Sequence, residues 1–336
     1  MSGVDLLSRL KAQETAKRTI LEAIRTGRVH HAYLFAGPDG VGKELAAFGL
    51  AQALVCEKRD RDIMDKRACG QCSSCLRAVP RDEQRLPIHP DVVVLERGLY
   101  APETIGRRTP ETQDLSIDQV RTLVIAHAAY PPHEGRAKVF IVRRAEELSV
   151  SAANALLKTL EEPLARTHFV LLTSQPESLL PTIRSRTLRV RFGPLPDDVV
   201  AELLEASGVA PARAREVAHL AEGSMATGAA LANPLQSETR EAFVARAFAA
   251  VDAKALDIGL ALAEDAKKDK GALAAHVAAL ATAFAARASA AAKAASPNAV
   301  TLAKRGNIAL LALDHLAGNG APQLVVEAMI VRMRAV

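Results

Sequence analysis

Short apolar runs alternate with longer helix-like segments through the first 195 residues of the chain. Each run is bounded by Gly, Pro or polar residues, which is typical of strands. The predicted strands are "HAYLFAG" (31–37), "DVVVLERG" (91–98), "KVFIVRRA" (138–145), "HFVLLTSQ" (168–175) and "TLRVRFGP" (187–194). Helical patterns at 42–55, 116–128 and 150–162 lie between them. Nearly continuous apolar strands that alternate with helices predict a doubly wound α/β domain with a parallel sheet.

The strand signals stop after "GPLP" at 193–196. Residues 197–230 predict three short helices, punctuated by Gly208, Pro211 and Gly223. From about 236 Ala and Leu recur at helical spacing, and Ala has the highest intrinsic helix propensity. The pattern therefore predicts three domains: an α/β domain at 1–194, a small helical domain at 195–235 and an all-helical domain at 236–336.

The bulk composition indicates a soluble globular protein. The chain has 336 residues, of which 49% are hydrophobic. We expect no apolar run to reach the roughly 18 residues of a membrane span. The N-terminal segment lacks the apolar core of a secretory signal. These features predict a cytoplasmic protein without a membrane partner.

The net charge of +5 fits either an ordinary solvated surface or contact with a polyanion such as DNA. Aromatic residues make up 3% of the chain and Trp is absent, which argues against recognition of single strands by base stacking. If nucleic acid is bound, its phosphate backbone is the expected target.

Residues 37–43, "GPDGVGK", resemble a phosphate-binding loop placed between a strand and a helix. Gly37, Gly40 and Gly42 would let backbone N–H groups turn towards phosphates, and Lys43 would reach them with its charge. The next position normally carries a hydroxyl that binds magnesium, but here it is Glu44. The loop therefore predicts a degenerate nucleotide site without efficient hydrolysis and leaves open whether ATP or ADP binds there.

The acidic residue that should complete a magnesium site is also missing. It is expected directly after the strand "KVFIV", where the chain instead has Arg143 and Arg144. A guanidinium repels magnesium and cannot act as a base. Glu146 and Glu147 follow, and we interpret them as acids at the N-terminus of the next helix, where they suit the helix dipole.

Four cysteines form a metal-binding pattern. Cys56, Cys69, Cys72 and Cys75 have the spacing C-x12-C-x2-C-x2-C. Four thiolates give a closed tetrahedral zinc site of the structural kind. The alternative is reduced thiols in a loop. The surrounding segment, 56–89, is too polar to belong to the core, so a metal is the expected source of its order.

Several segments together resemble bacterial clamp-loader proteins of the AAA+ class. They are the strand and loop at 29–56, the cysteine cluster, "NALLKTLEEP" (154–163) and "TIRSRTLRVRF" (182–192). The resemblance covers about 10–230 well and the remainder loosely. It implies an AAA+ P-loop domain with a zinc-binding insertion at about 56–89, a helical lid and an all-α collar. It also implies tau/gamma and delta subunits as partners, together with the sliding clamp and, through backbone contacts, primed DNA.

Two branches of this family are possible, the ATP-hydrolysing tau/gamma subunit and the delta-prime subunit of DNA polymerase III. The departures at Glu44, Arg143 and Arg144 favour the delta-prime branch. So does Ala226, which stands where the hydrolysing branch has an arginine. A tau/gamma-like motor and a DNA-binding adaptor outside any loader are the alternatives.

Arg186 stands at a position where the family has a functional arginine. Ser185, Arg186 and Thr187 align with a Ser-Arg-Cys motif whose arginine points into the ATP site of the neighbouring subunit. The resemblance implies that Arg186 is an arginine finger acting in trans, a role that can be worth 10³–10⁵ in rate. The alternative is an ordinary surface ion pair, worth about 0–1 kcal/mol. Lys158 is a further candidate for contact with the DNA backbone.

Overall fold

The structure is a computed structural model that describes residues 5–58, 67–80, 86–105, 114–134, 136–253, 255–268, 270–317 and 320–336. The chain divides into two compact units, Met1–Ala229 and Ala230–Val336. Each unit has a hydrophobic core of its own. The division into three domains, with boundaries at 194 and 235, stays a prediction.

Among the described residues of the first unit, five parallel strands form one sheet in the order β2-β3-β4-β1-β5. The strands are β1 Ala32–Ala36, β2 Val92–Leu95, β3 Lys138–Val142, β4 Thr167–Thr173 and β5 Leu188–Arg191. All five predicted strands are confirmed. The observed strands end before the polar residues that the predicted ranges included. Arg143 and Arg144 therefore belong to the loop that leaves β3.

The described helices of this part of the chain include those predicted at 42–55, 116–128, 150–162 and 197–230, together with helices that the pattern did not predict. They are α1 Glu14–Thr26, α2 Lys43–Val55, α3 Ser73–Arg77, α4 Ile117–Gln119, α5 Ala126–Ala128, α6 Val150–Glu161, α7 Pro181–Arg184, α8 Asp197–Ala206, α9 Pro211–Leu220 and α10 Met225–Ala232. A π-helix, Val120–Ile125, joins α4 to α5 into one helical segment. The α/β fold class expected from the sequence is confirmed.

The core of the first unit lies around the sheet. Every residue of β1 and β3 is buried, and the rings of Phe140 and Phe169 stack with centroids 5.1 Å apart. Helix α2 is buried almost all round because its residues are apolar on every face. Burying one large apolar side chain contributes about 1.5–3 kcal/mol. The sheet therefore fixes the loops at both of its edges.

The expectation that segment 56–89 is too polar for the core is wrong in part. Ser74, Cys75, Ala78 and His89 are all buried. The polar members of this group are buried because they are hydrogen-bonded, as described below.

The second unit is helical throughout its described residues, as predicted. Its helices are α11 Pro234–Asp252, α12 Asp257–Lys268, α13 Lys270–Lys293, α14 Ala299–Ala317 and α15 Pro322–Arg334. Leu280 and Phe284 of α13 and Val326 and Ile330 of α15 are buried in its core.

The expectation about apolar runs needs a correction in this unit. Within the described residues one segment, Ala272–Lys293, is long and apolar enough by length and composition to cross a membrane. Core helices pass the same test, and α13 buries Leu273 and Val277 besides the two residues above. The segment is therefore weak evidence for a membrane span.

Candidate functional site

The predicted phosphate loop lies at the carboxyl edge of the sheet, between β1 and α2. Gly42, with φ 101°, is the N-cap of α2. Gly40 has φ +73°, and a Cβ there would lie 2.4 Å from the backbone nitrogen of Ala226. The backbone N–H of Met225 donates to the carbonyl of Gly40 at 3.1 Å. The segment before α10 thus packs on the loop so closely that only glycine fits at position 40.

The ammonium of Lys43 is held by its own loop. Its Nζ donates to the carbonyls of Gly37 at 2.5 Å and Pro38 at 2.6 Å and lies 3.3 Å from the carboxylate of Asp39. Burial lowers the pKa of Lys43 below its ordinary value. The charge that would contact phosphates is therefore already hydrogen-bonded in this structure.

Arg143 lies where the acid of a magnesium site was expected. Its side chain is 10% exposed and pairs with Glu44, which follows Lys43, and with Glu96 at 2.7 Å. Its guanidinium also lies 5.7 Å from the centre of the Phe48 ring. One arginine thus bridges two carboxylates beside the loop, and the three groups together keep a formal charge of −1.

Residues 144–147 do not form the start of the next helix, although that was predicted for the two acids among them. Arg144 pairs with Glu147 at 3.0 Å, and this hydrogen bond raises the pKa of Arg144. Glu146 accepts a hydrogen bond from Ser174 Oγ at 2.9 Å. The interpretation of Glu146 and Glu147 as acids of the helix N-terminus is wrong, because Ala145–Glu147 form a separate 3-10 turn. Ser149 caps α6 instead.

These groups surround a cavity of about 490 Å³. It is lined by the loop, by residues 143, 144 and 146, by the end of β4 and by the start of α10. The sequence analysis missed Glu96 and Ser174. Both directly follow parallel strands, and carboxyl ends of such strands form ligand sites, so their positions carried the signal.

The structure brings the four predicted metal ligands together. The sulfur atoms of Cys56, Cys69, Cys72 and Cys75 all lie within 4.8 Å of one another. Zinc–sulfur bonds of about 2.3 Å in a tetrahedron place sulfurs roughly 3.8 Å apart, so the cluster has the size that such an ion needs. The hydrogen bond between Cys75 and Cys56 lowers the pKa of Cys56 and raises the pKa of Cys75, and burial raises the pKa of Cys72.

A polar network that the sequence analysis missed ties the cysteine segment to the sheet. Arg77 of α3 makes two hydrogen bonds to Glu134, at 2.7 and 2.8 Å, and Ser74 Oγ donates to the same carboxylate. These bonds, led by the one from Arg77, lower the pKa of Glu134 to about 2. The buried carboxylate of Asp91 accepts from the backbone N–H of His133 and of Glu134. The cysteine segment is therefore held by hydrogen bonds at the amino ends of β2 and β3.

Arg186 lies at the amino ends of the strands, whereas the phosphate loop lies at their carboxyl ends. It precedes β5, whose residue Leu188 pairs with Tyr33 near the start of β1. Its Nε donates to Glu161 at 2.6 Å, and its Nη1 donates to the carbonyl of Thr182 at 2.9 Å. An open cavity of about 550 Å³ lies beside it.

The rings of His30 and His31 stack on one another beside the same cavity, with centroids 4.3 Å apart. The pKa of His31 is lowered by burial. The structure thus places Arg186 with these histidines and not with Lys43. Lys158, the residue considered for DNA contact, is exposed on α6.

Residues 12–196 match the protein family described as DNA polymerase III, delta subunit, and this segment is more than half of the chain. The chain belongs to the DNA polymerase III delta subunit family. The clamp-loader resemblance stated from the sequence is thereby confirmed.

Relatives of both branches are similar to the chain. The DNA polymerase III subunit gamma/tau of Mycobacterium tuberculosis is 35% identical over 192 residues, which are 57% of this chain and 29% of that protein. The DNA polymerase III subunit delta' of Pseudomonas aeruginosa is 38% identical over 166 residues, 49% of this chain and 44% of that protein. The chain thus matches less than half the length of these relatives.

A DNA polymerase III gamma subunit-related protein from Thermotoga maritima aligns over 98% of this chain and 99% of its own. The TM-score is 0.48 and the sequence identity is 19%.

Proposed function

We propose that the chain is a delta-prime-type subunit of a bacterial clamp loader that does not hydrolyse ATP itself. It supplies Arg186 to the ATP of a neighbouring subunit during loading of the sliding clamp on primed DNA. Its partners are tau/gamma and delta subunits, and it acts in the cytoplasm. Its own loop binds ATP or ADP without turnover.

The buried ion pairs of Arg143 carry this proposal. Efficient phosphoryl transfer needs Mg²⁺ held by the hydroxyl after the loop lysine and by an acid at the end of a nearby strand. Here Glu44 and Glu96 share Arg143 as an ion-pair partner, which offsets one of their two negative charges. A divalent cation would have to displace a buried guanidinium that already has two partners. The site is therefore poor at binding the metal that hydrolysis requires.

The position of Arg186 supports a role in trans. Gly37, at the start of the loop, is six positions after His31, which lies beside Arg186. At about 3.3 Å per residue this is roughly 20 Å of strand, much more than an arginine side chain can span. Arg186 therefore cannot serve the chain's own loop, whereas it is exposed for contact with another protein.

Reconstitution of the loader with tau/gamma and delta subunits tests the proposal. Arg186→Ala should leave assembly intact and lower the ATPase rate at the neighbouring site by about 10³-fold or more. Arg189→Ala is the matched control, because Arg189 is also an exposed arginine paired with a glutamate. An Arg186→Ala loader with an unchanged rate would remove the finger assignment.

A tau/gamma-like motor is the second candidate, favoured by the 35% identity to the Mycobacterium tuberculosis protein. Steady-state ATP turnover by the isolated chain separates the two. We expect a kcat well below 1 s⁻¹, the low end of the ordinary enzyme range. A kcat above about 1 s⁻¹ would favour the motor.

We further propose that the four cysteines hold one structural zinc ion. Four thiolates leave no open position, so the ion would order the segment around α3 and would not take part in chemistry. Elemental analysis should find one zinc per chain, and Cys72→Ser should lose it. Retention of stoichiometric zinc by that variant would contradict the four-ligand assignment.

A further inference from the structure

A carboxylate accepts hydrogen bonds from the Nε and Nη2 side of the Arg186 guanidinium. A phosphate would bind the same side. Nε donates to Glu161 Oε1 at 2.6 Å, and Nη2 pairs with the same oxygen. Arginine presents the same fork of N–H groups to carboxylates and to phosphates. Glu161 therefore occupies the position of the anion that an arginine finger has to reach.

The other side of the guanidinium is fastened separately. Nη1 donates to the carbonyl of Thr182 at 2.9 Å and to Ser185 Oγ at 3.2 Å. Both acceptors lie at α7, whereas Glu161 is the last residue of α6. One anion can thus replace the other at Nε and Nη2 while the contacts of Nη1 to α7 are kept.

Glu161 has no favourable role in its own helix. The C-terminus of a helix carries partial negative charge, so an acid in the last turn is disfavoured there and a base is preferred. What offsets this at Glu161 is its pair with Arg186. The placement is thus explained by the arginine and not by the helix.

The pair is also easily exchanged. The side chains of Arg186 and Glu161 are 33% and 46% exposed, and exposed pairs are weak because water and salt screen them. A triphosphate carries more charge than a carboxylate and would be held inside a subunit interface, where electrostatic interactions are stronger.

We propose that Glu161 is a positioning residue that retains Arg186 until the terminal phosphate of a neighbour's nucleotide replaces it. This inference rests on the proposed function, since it assumes that Arg186 serves a nucleotide in trans. Glu161 and the phosphate then compete for one edge of the guanidinium. Removing the carboxylate's charge strengthens the contact with phosphate.

The test is the ATP dependence of the reconstituted loader's ATPase with Glu161→Gln. The variant should lower the ATP concentration for half-maximal rate by about two- to fivefold, because an exposed ion pair is worth up to about 1 kcal/mol. The maximal rate should stay close to that of the unchanged loader. Glu177→Gln is the matched control and should have no effect. Glu177 is likewise an exposed glutamate beside two arginines, Arg184 and Arg189, neither of which is the finger.

The double variant Glu161→Gln/Arg186→Ala separates the role of Arg186 in trans from its retention by Glu161. Its ATPase rate should match that of Arg186→Ala alone. If Arg186→Ala has no effect, the proposed function fails and this inference with it. If Arg186→Ala slows the loader but Glu161→Gln also slows it, or behaves like Glu177→Gln, only the retention by Glu161 is overturned.

A measurement on the isolated chain tests the contact without partners. The Nε–Hε resonance of Arg186 should be protected from solvent exchange in the unchanged chain, and Glu161→Ala, which removes the acceptor, should lose most of that protection. Equal protection in both chains would show that Glu161 does not hold Nε, which would overturn the inference.

Discussion

Arginine and glutamate pair at both ends of the parallel strands, here called the carboxyl edge and the amino edge of the sheet. The two pairs differ in how far they are exposed to water. At the carboxyl edge Arg143 is almost buried and bridges Glu44 and Glu96. At the amino edge Arg186 is one-third exposed and has Glu161 as its carboxylate partner. The first pair is shielded from water, whereas the second is open to it.

Exposure to solvent explains the different behaviour of the two arginines, because both have glutamate partners. Two charges interact several times more strongly at a low effective dielectric than in water. Breaking a buried pair also leaves a charge without hydration, whereas a broken exposed pair is rehydrated at once. An arginine at the nucleotide loop can therefore be structural, and one on the opposite edge functional.

The largest effect is expected at the carboxyl edge, from Arg143→Met. This change keeps the apolar stem but removes the ion pairs that Arg143 makes with Glu44 and with Glu96, whose side chain is 14% exposed. We expect a loss of about 3–5 kcal/mol in the free energy of unfolding. Urea unfolding followed by circular dichroism measures it. Arg144→Met is the control, because the neighbouring arginine is 57% exposed and should lose at most about 1 kcal/mol. Equal losses in the two variants would contradict the contrast in burial.

A smaller loss is expected where the segment before α10 packs on the phosphate loop. Gly40→Ala places a Cβ in a left-handed conformation and 2.4 Å from Ala226 N. We expect it to lower the free energy of unfolding by about 2–4 kcal/mol, from backbone strain together with overpacking. Gly27→Ala has the same φ of +73° with nothing within 4 Å of the Cβ. It should show the backbone part alone, about 1–2 kcal/mol. A loss no greater for Gly40→Ala would show that the loop and α10 separate easily.

The amino edge also contains a fixed ion pair, which sharpens the comparison. Glu134 has its pKa lowered to about 2 by Arg77, against 4.5 when unpaired. Its stabilising contribution is therefore fully present above about pH 5 and is lost as the pH falls towards 2. Glu134→Gln should cost about 1 kcal/mol at pH 7, and the difference from the unchanged chain should vanish near pH 2. Stability curves measured from pH 7 to 2 would contradict this if the gap stayed constant.

The sequence allowed the sheet to be predicted because each strand is a separate apolar run between polar punctuation. The cysteine cluster was predictable for a similar reason, since short C-x2-C links bring thiolates close together whatever surrounds them. Partners of charged residues were a different matter. That Arg143 would pair with Glu96, or Arg186 with Glu161, depends on which loops and helix ends meet at each edge of the sheet.

Burial within a polar segment was also hidden from the sequence. Ser74 lies inside because Glu134, 60 positions along the chain, accepts a hydrogen bond from its hydroxyl, and the buried His89 Nε2 lies 3.1 Å from the same carboxylate. Composition counts such residues as exposed, since it cannot register a hydrogen bond made across so long a stretch of chain.

The smallest effect on stability is expected from an arginine-to-methionine substitution at the amino edge, the same change as in Arg143→Met. Arg186→Met breaks an exposed pair, so the free energy of unfolding should fall by no more than about 1 kcal/mol, and less at high salt. Urea unfolding at low and high ionic strength measures both quantities, with Arg189→Met as the control for loss of an exposed arginine. A loss close to that of Arg143→Met would make Arg186 a structural residue. A negligible loss combined with a slow reconstituted loader would mean that the arginine is kept for the neighbouring subunit and not for the fold.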